Sequence, residues 1–68
     1  MLFVRQLKHG KPSIPALNYI FECNTLEEYA KIVQREFVFE SGVEYHIEDY
    51  WGECLAIVRK NEICFETE

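Results

Sequence analysis

The 68-residue chain reads as an α+β domain, with an antiparallel β-sheet of about five strands and one helix packed on one face in the order β-β-α-β-β-β. Three observations carry this expectation. Residues 25–37 hold a capped apolar stripe with helical spacing, residues 43–48 alternate strictly between apolar and polar, and turn signals follow at 50–52 and 59–61. The length allows one domain, residues 1–68, which at this size buries only about 60% of its unfolded surface.

Residues 2–7, with Phe3 and Val4, suit a strand. Residues 9–15 hold Gly10, Pro12 and Pro15 and read as a loop. Residues 16–23 read as a second strand, so the first two strands are expected to form a hairpin with a long basic tip. Thr25-Leu26-Glu27-Glu28 matches a capping box, and its two glutamates suit the positive end of the helix dipole. Leu26, Tyr29, Ala30, Val33 and Phe37 form one apolar face, which predicts a helix over 26–37 ending before Ser41 and Gly42. The alternation from Val43 to Glu48 predicts a strand with one wet face. Tyr50, Trp51 and Gly52 fit a three-residue hairpin loop with Gly52 left-handed. Arg59, Lys60 and Asn61 are expected to repeat it, with Asn61 in the left-handed position. That register sets Ile47 against Leu55, Tyr45 against Ile57, Ile57 against Ile63 and Leu55 against Phe65, a single apolar face.

Hydrophobic residues at 49% and charged residues at 28% exclude a disordered tail. The longest apolar run, residues 54–58, is far short of the roughly 20 that a membrane span needs. No basic and apolar leader opens the chain, so a cytoplasmic location in a bacterial host is expected. Cys23, Cys54 and Cys64 are odd in number and lack a close pair, which favours free thiols over disulfides. Adding His46 gives no chelating spacing, so neither a metal nor a cofactor is expected.

The charge is −5 and unevenly spread. Residues 1–21 carry Arg5, Lys8 and Lys11 and no acid, whereas residues 22–68 carry all twelve acids against four basic residues, for −8. Such an excess opposes direct nucleic-acid binding and favours a basic partner protein. Catalytic motifs are lacking: there is no phosphate loop, no H-E-x-x-H and no G-x-S-x-G, and a pairing of His46 with Cys54 or Cys64 is the nearest approach. The chain is therefore expected not to be an enzyme.

The candidate partner-binding residues are Glu44, His46, Glu48, Asp49, Tyr50, Trp51 and Glu53. Adjacent Tyr and Trp at a hairpin tip have the composition of an interaction hot spot, and carboxylates around them select Arg and Lys. The competing expectation folds Trp51 back as a lid on the small core.

Residues 19–48 resemble the small phage inhibitors of host RNA polymerase. The likeness rests on an aromatic-rich strand from Tyr19, the Thr25-Leu26-Glu27-Glu28 helix start, an aromatic near the helix end at Phe37, and Gly42-x-Glu44 leading into the next strand. The family's inhibitory arginines in that strand correspond to positions around Ile47 and Asp49, which are apolar and acidic here. The combined expectation is a small acidic inhibitor, encoded by a phage or mobile element. It would block a basic surface on a host nucleic-acid-handling protein, such as a polymerase, a nuclease or a CRISPR effector. The alternative is a self-assembling homodimeric subunit joined at an unpaired strand edge.

Overall fold

The computed structural model describes residues 1–13 and 16–66. β1 (Phe3–Lys8) turns back at once into the two-residue β2 (Lys11–Pro12), with Leu7 opposite Pro12 and Lys8 opposite Lys11. His9 and Gly10 make this turn at φ 53° and 80°, both left-handed, a two-residue connection whose twist suits the strands it joins. The long basic loop expected over 9–15 is thus replaced by a tight hairpin, while Ile14 and Pro15 lie outside the described residues.

The strand expected over 16–23 does not form. Its one ladder contact is the bridge at Leu17, which exchanges N–H···O bonds of 2.8 and 3.0 Å with Val4. Ring packing holds the segment instead. Tyr19 meets Phe37 edge-on at 4.9 Å, and Phe21 lies 4.8 Å from Tyr29. The Tyr29 hydroxyl donates to the Tyr19 carbonyl at 2.6 Å, and burial pushes that phenol up to about 12. Aromatic density therefore marked a strap across the helix rather than a strand.

The helix α1 (Leu26–Glu36) forms as its caps dictate. Thr25 Oγ1 accepts from the Glu28 N–H at 3.1 Å, and the Glu28 carboxylate accepts from the Thr25 hydroxyl and the Asn24 N–H. Tyr29, Ala30 and Val33 are buried, with Leu26 and Phe37 packed at the margin of the same stripe. The helix covers β4 (Cys54–Val58) and β5 (Ile63–Phe65), the strands that follow β3 (Val43–Glu48).

The sheet order is β2-β1-β3-β4-β5, all neighbours antiparallel. β1 pairs along the whole of β3, from Phe3 opposite Glu48 to Lys8 opposite Val43. The three-residue loop at 50–52 is as expected: the Asp49 N–H donates to the Glu53 carbonyl at 3.0 Å, and Gly52 has φ 84°. Two register expectations fail beyond it. A bulge between Ile47 and Glu48 leaves Leu55 as an extra residue, so Ile47 faces Ala56 and Tyr45 faces Val58. The second turn is one residue tighter, with Arg59 bonded to Glu62, so Ile57 faces Cys64 and Ala56 faces Phe65. Asn61 does not take a left-handed φ there, since His9 alone among described non-glycine residues does. The shift places the small Ala56 and Val58, both fully buried, beneath Ala30 and Val33 and moves Ile57 to the opposite face. Small side chains at these two positions of β4 let helix and sheet approach closely, which the bulkier Ile57 would prevent.

Gly42 joins the helix side to β3 at φ 80°, its carbonyl accepting the His9 N–H at 2.8 Å. A Cβ at this position would overlap the His9 ring. Gly42→Ala should therefore lower the unfolding free energy by more than about 1 kcal/mol. Urea denaturation checks this, and an unchanged midpoint would refute the constraint.

Candidate functional site

Alternation along β3 sends Val43, Tyr45 and Ile47 to the helix side and Glu44, His46 and Glu48 to the face left open. Neighbouring strands supply the cations. Arg5, on β1, donates through Nε to Glu48 Oε2 at 2.8 Å and through Nη2 to Oε1 at 3.3 Å, a two-point contact. Glu48 is only 8% exposed while Arg5 is partly wet, so the ion pair is part-buried, and the guanidinium of Arg5 is held more basic by it. Glu44 accepts from Arg59 Nε at 3.1 Å and meets His46 Nε2 at 2.8 Å. The hydrogen bond with His46, followed by the contacts with Arg59, holds the Glu44 carboxyl below its usual range.

At the end of this face the carboxylate of Asp49 accepts the N–H groups of Trp51 and Glu53, each at 2.9 Å, and so fixes the loop. Tyr50 and Trp51 project from it, 71% and 85% exposed, in edge-to-face contact at 5.8 Å. Trp51 is thus not a lid on the core. Glu53, two residues after Trp51, is exposed.

The seven candidate residues therefore fall on one strand and its hairpin tip, but in two functional states. Glu44, His46, Glu48 and Asp49 have internal partners, whereas Tyr50, Trp51 and Glu53 face outward. The reading of the residues missed the pairing of Glu48 with Arg5 and of Glu44 with Arg59. Alternation showed that Glu44 and Glu48 share a face, yet nothing local placed β1 beside β3 and so brought Arg5 to them.

Ile57 separates His46 from Cys64 in the cross-strand row, leaving their backbones two strand spacings apart, about 10 Å. Burial, followed by nearby Glu66, pushes the Cys54 thiol up, which disfavours the nucleophilic thiolate. All three cysteines are free. Among the described residues no group of three or more His, Cys, Asp or Glu could hold a metal, and no helix is long and apolar enough to cross a membrane.

Two measurements test these pairs. Arg5→Ala strands a nearly buried carboxylate and should cost about 2–3 kcal/mol, below the ~3–5 of a fully buried pair because Arg5 is partly wet. Replacing both partners by Met should recover much of that loss in urea denaturation; a double variant no more stable than Arg5→Ala would contradict the stranded-charge account. Because the Glu44 carboxyl is depressed in the folded state, the unfolded state binds more protons around pH 4. Its stabilisation is present above the unfolded value, near 4.5, and is lost as pH falls through the folded one. Glu44→Gln should flatten the acid limb of stability against pH, and an unchanged acid limb would exclude Glu44 as its source.

Compared with known proteins, the chain matches no family model, no curated protein and no solved structure.

Proposed function

We propose that the protein is a non-enzymatic inhibitor of phage or mobile-element type that docks on, and occludes, a basic surface of a host nucleic-acid-handling protein. The observation that carries this reading is the pair of aromatic rings on the β3–β4 tip. An isolated small domain gains nothing from leaving a Trp almost wholly in water, whereas Trp and Tyr on a fixed turn are the usual anchors of an interface. Asp49 holds the loop through two backbone bonds, so little ordering remains to be done on binding.

Charge acts here on approach and selection. The net charge of −5 draws a basic surface towards the protein, and the exposed Glu53 meets Arg or Lys at the rim. Glu44, Glu48 and Asp49 contribute to the field, but part of their short-range hydrogen-bonding capacity is already used internally. Affinity thus comes from the rings, and phosphate mimicry is confined to the exposed carboxylates. Blocking the cations that hold nucleic acid is then sufficient to inhibit the target.

Trp51→Ala removes a side chain that lies outside the core, against the exposed Tyr50 ring, and should leave stability within about 0.5 kcal/mol. It should weaken partner binding by about 2 kcal/mol or more, roughly 30-fold. Affinity capture from bacterial lysate at low and high salt, with wild type, Trp51→Ala and Glu53→Lys, provides the check. The expected partner is a nucleic-acid-binding protein, released by salt and lost in both variants. A partner retained equally by Trp51→Ala would overturn the tip as the anchor.

A further inference from the structure

The two margins of the sheet are built differently. At one, β2 is two residues long, ends in a proline with no N–H, and is followed by the Leu17 bridge to Val4. These are features that stop a sheet from growing. At the other margin, β5 has no proline, lysine or bulge, and among the described residues no strand lies outside it. The Glu62 carbonyl accepts the Arg59 N–H at 2.8 Å, and the Glu66 N–H donates to the Leu55 carbonyl at 2.9 Å. Antiparallel bonds alternate, so Glu62, Cys64 and Glu66 turn their backbone groups towards β4. Ile63 and Phe65 turn theirs outward: two donors and two acceptors spaced for another strand.

Beside this edge, between the first turn of α1 and β5, runs an open groove of about 460 Å³ lined by Leu26, Leu55 and Phe65, with Glu27 and Glu66. Its apolar floor exists because of the bulge, which keeps Leu55 on the helix side. An added strand would lay alternate side chains over Phe65 and Ile63 and into the groove.

The flanking charges select the occupant. A second copy pairing antiparallel over all three β5 residues would set Glu62 of each copy against Glu66 of the other, a repulsive arrangement on both sides. A strand with Lys or Arg at those two positions meets attraction instead: Glu66 is exposed, and the Glu62 carboxylate, which accepts from Arg59 Nη1 at 3.3 Å through Oε1, is still more than half exposed. We propose that β5 is a strand-addition site for an extended segment of a partner protein, with apolar residues at its centre and basic residues four apart at its flanks. The site requires neither Tyr50 nor Trp51 and goes beyond the tip as a point of contact.

The probe is a fluorescein-labelled peptide with the core Lys-Val-Thr-Val-Lys between Gly-Ser ends, compared with a peptide in which Glu replaces each Lys. Wild-type protein should bind the Lys peptide at least tenfold more tightly. Binding should protect the Ile63 and Phe65 amides from hydrogen exchange, and the exposed Glu62→Lys, Glu66→Lys double variant should reverse the preference. Trp51→Ala should bind the peptide as wild type does, so failure of the tip reading would leave this one standing. Lack of binding, equal binding of both peptides, or protection confined to residues 49–53 would overturn it. A concentration-dependent dimer that protects the same two amides without peptide would assign the edge to a second copy and would equally overturn the proposal.

Discussion

The position of β3 in the middle of the sheet governs most of this molecule. Its inward residues Val43, Tyr45 and Ile47 are all buried beneath the helix and the aromatic segments that flank it. Tyr45 ties β3 to two other pieces of chain: its ring packs edge-on to Phe37 and Phe39 and its hydroxyl donates to the Val38 carbonyl between them, while Gln6 of β1 donates to that hydroxyl. A domain this small has few residues to spare for a core, so one strand buried on one face and flanked on both edges supplies much of its cohesion. The outward residues of the same strand satisfy their charges sideways, Glu48 with Arg5 of β1 and Glu44 with Arg59 at the end of β4.

That requirement changes the meaning of the acidic composition. In a list of residues Glu44, Glu48 and Asp49 resemble an anionic surface waiting for a basic partner. In the fold each is engaged: with His46 and Arg59, with Arg5, and with the backbone of the hairpin loop. A carboxylate held in this way still contributes to the long-range field, but it has fewer lone pairs to offer a newcomer. In the proposed reading the acidic excess steers, and recognition falls to exposed groups: the rings of Tyr50 and Trp51, Glu53 and the outer backbone of β5.

The two features lie at related places. β5 runs antiparallel to β4, so its Phe65 end lies beside Ala56, towards the end of the sheet from which the hairpin tip projects. A rigid aromatic anchor and a free strand edge recognise different chemistry, one by burying large rings and the other by backbone pairing. Neither calls for a cleft, a metal or a reactive thiol.

Local signals decided the helix, the central strand and the tip. The Thr25–Glu28 cap, the stripe through Val33, the alternation from Val43 to Glu48 and the loop at Gly52 each rest on interactions within a few residues, and each can be read directly in the sequence. Only the tertiary structure decided the rest. Aromatic density at Tyr19 and Phe21 is equally compatible with a strand or with a strap, and the choice depended on where Tyr29 and Phe37 stood. The bulge at Leu55 exchanged the faces of Ile57 and Ala56, so the smaller residue joins Ala30 in the core, and the turn at Lys60 and Asn61 is one residue tighter than the local signals imply. The fate of each carboxylate hung on strand order, since Arg5 lies 43 positions from Glu48 in the chain and meets it only when β1 pairs with β3. Composition records how many charges a protein carries; which of them remain free is decided by the neighbours that long-range pairing brings within hydrogen-bond distance.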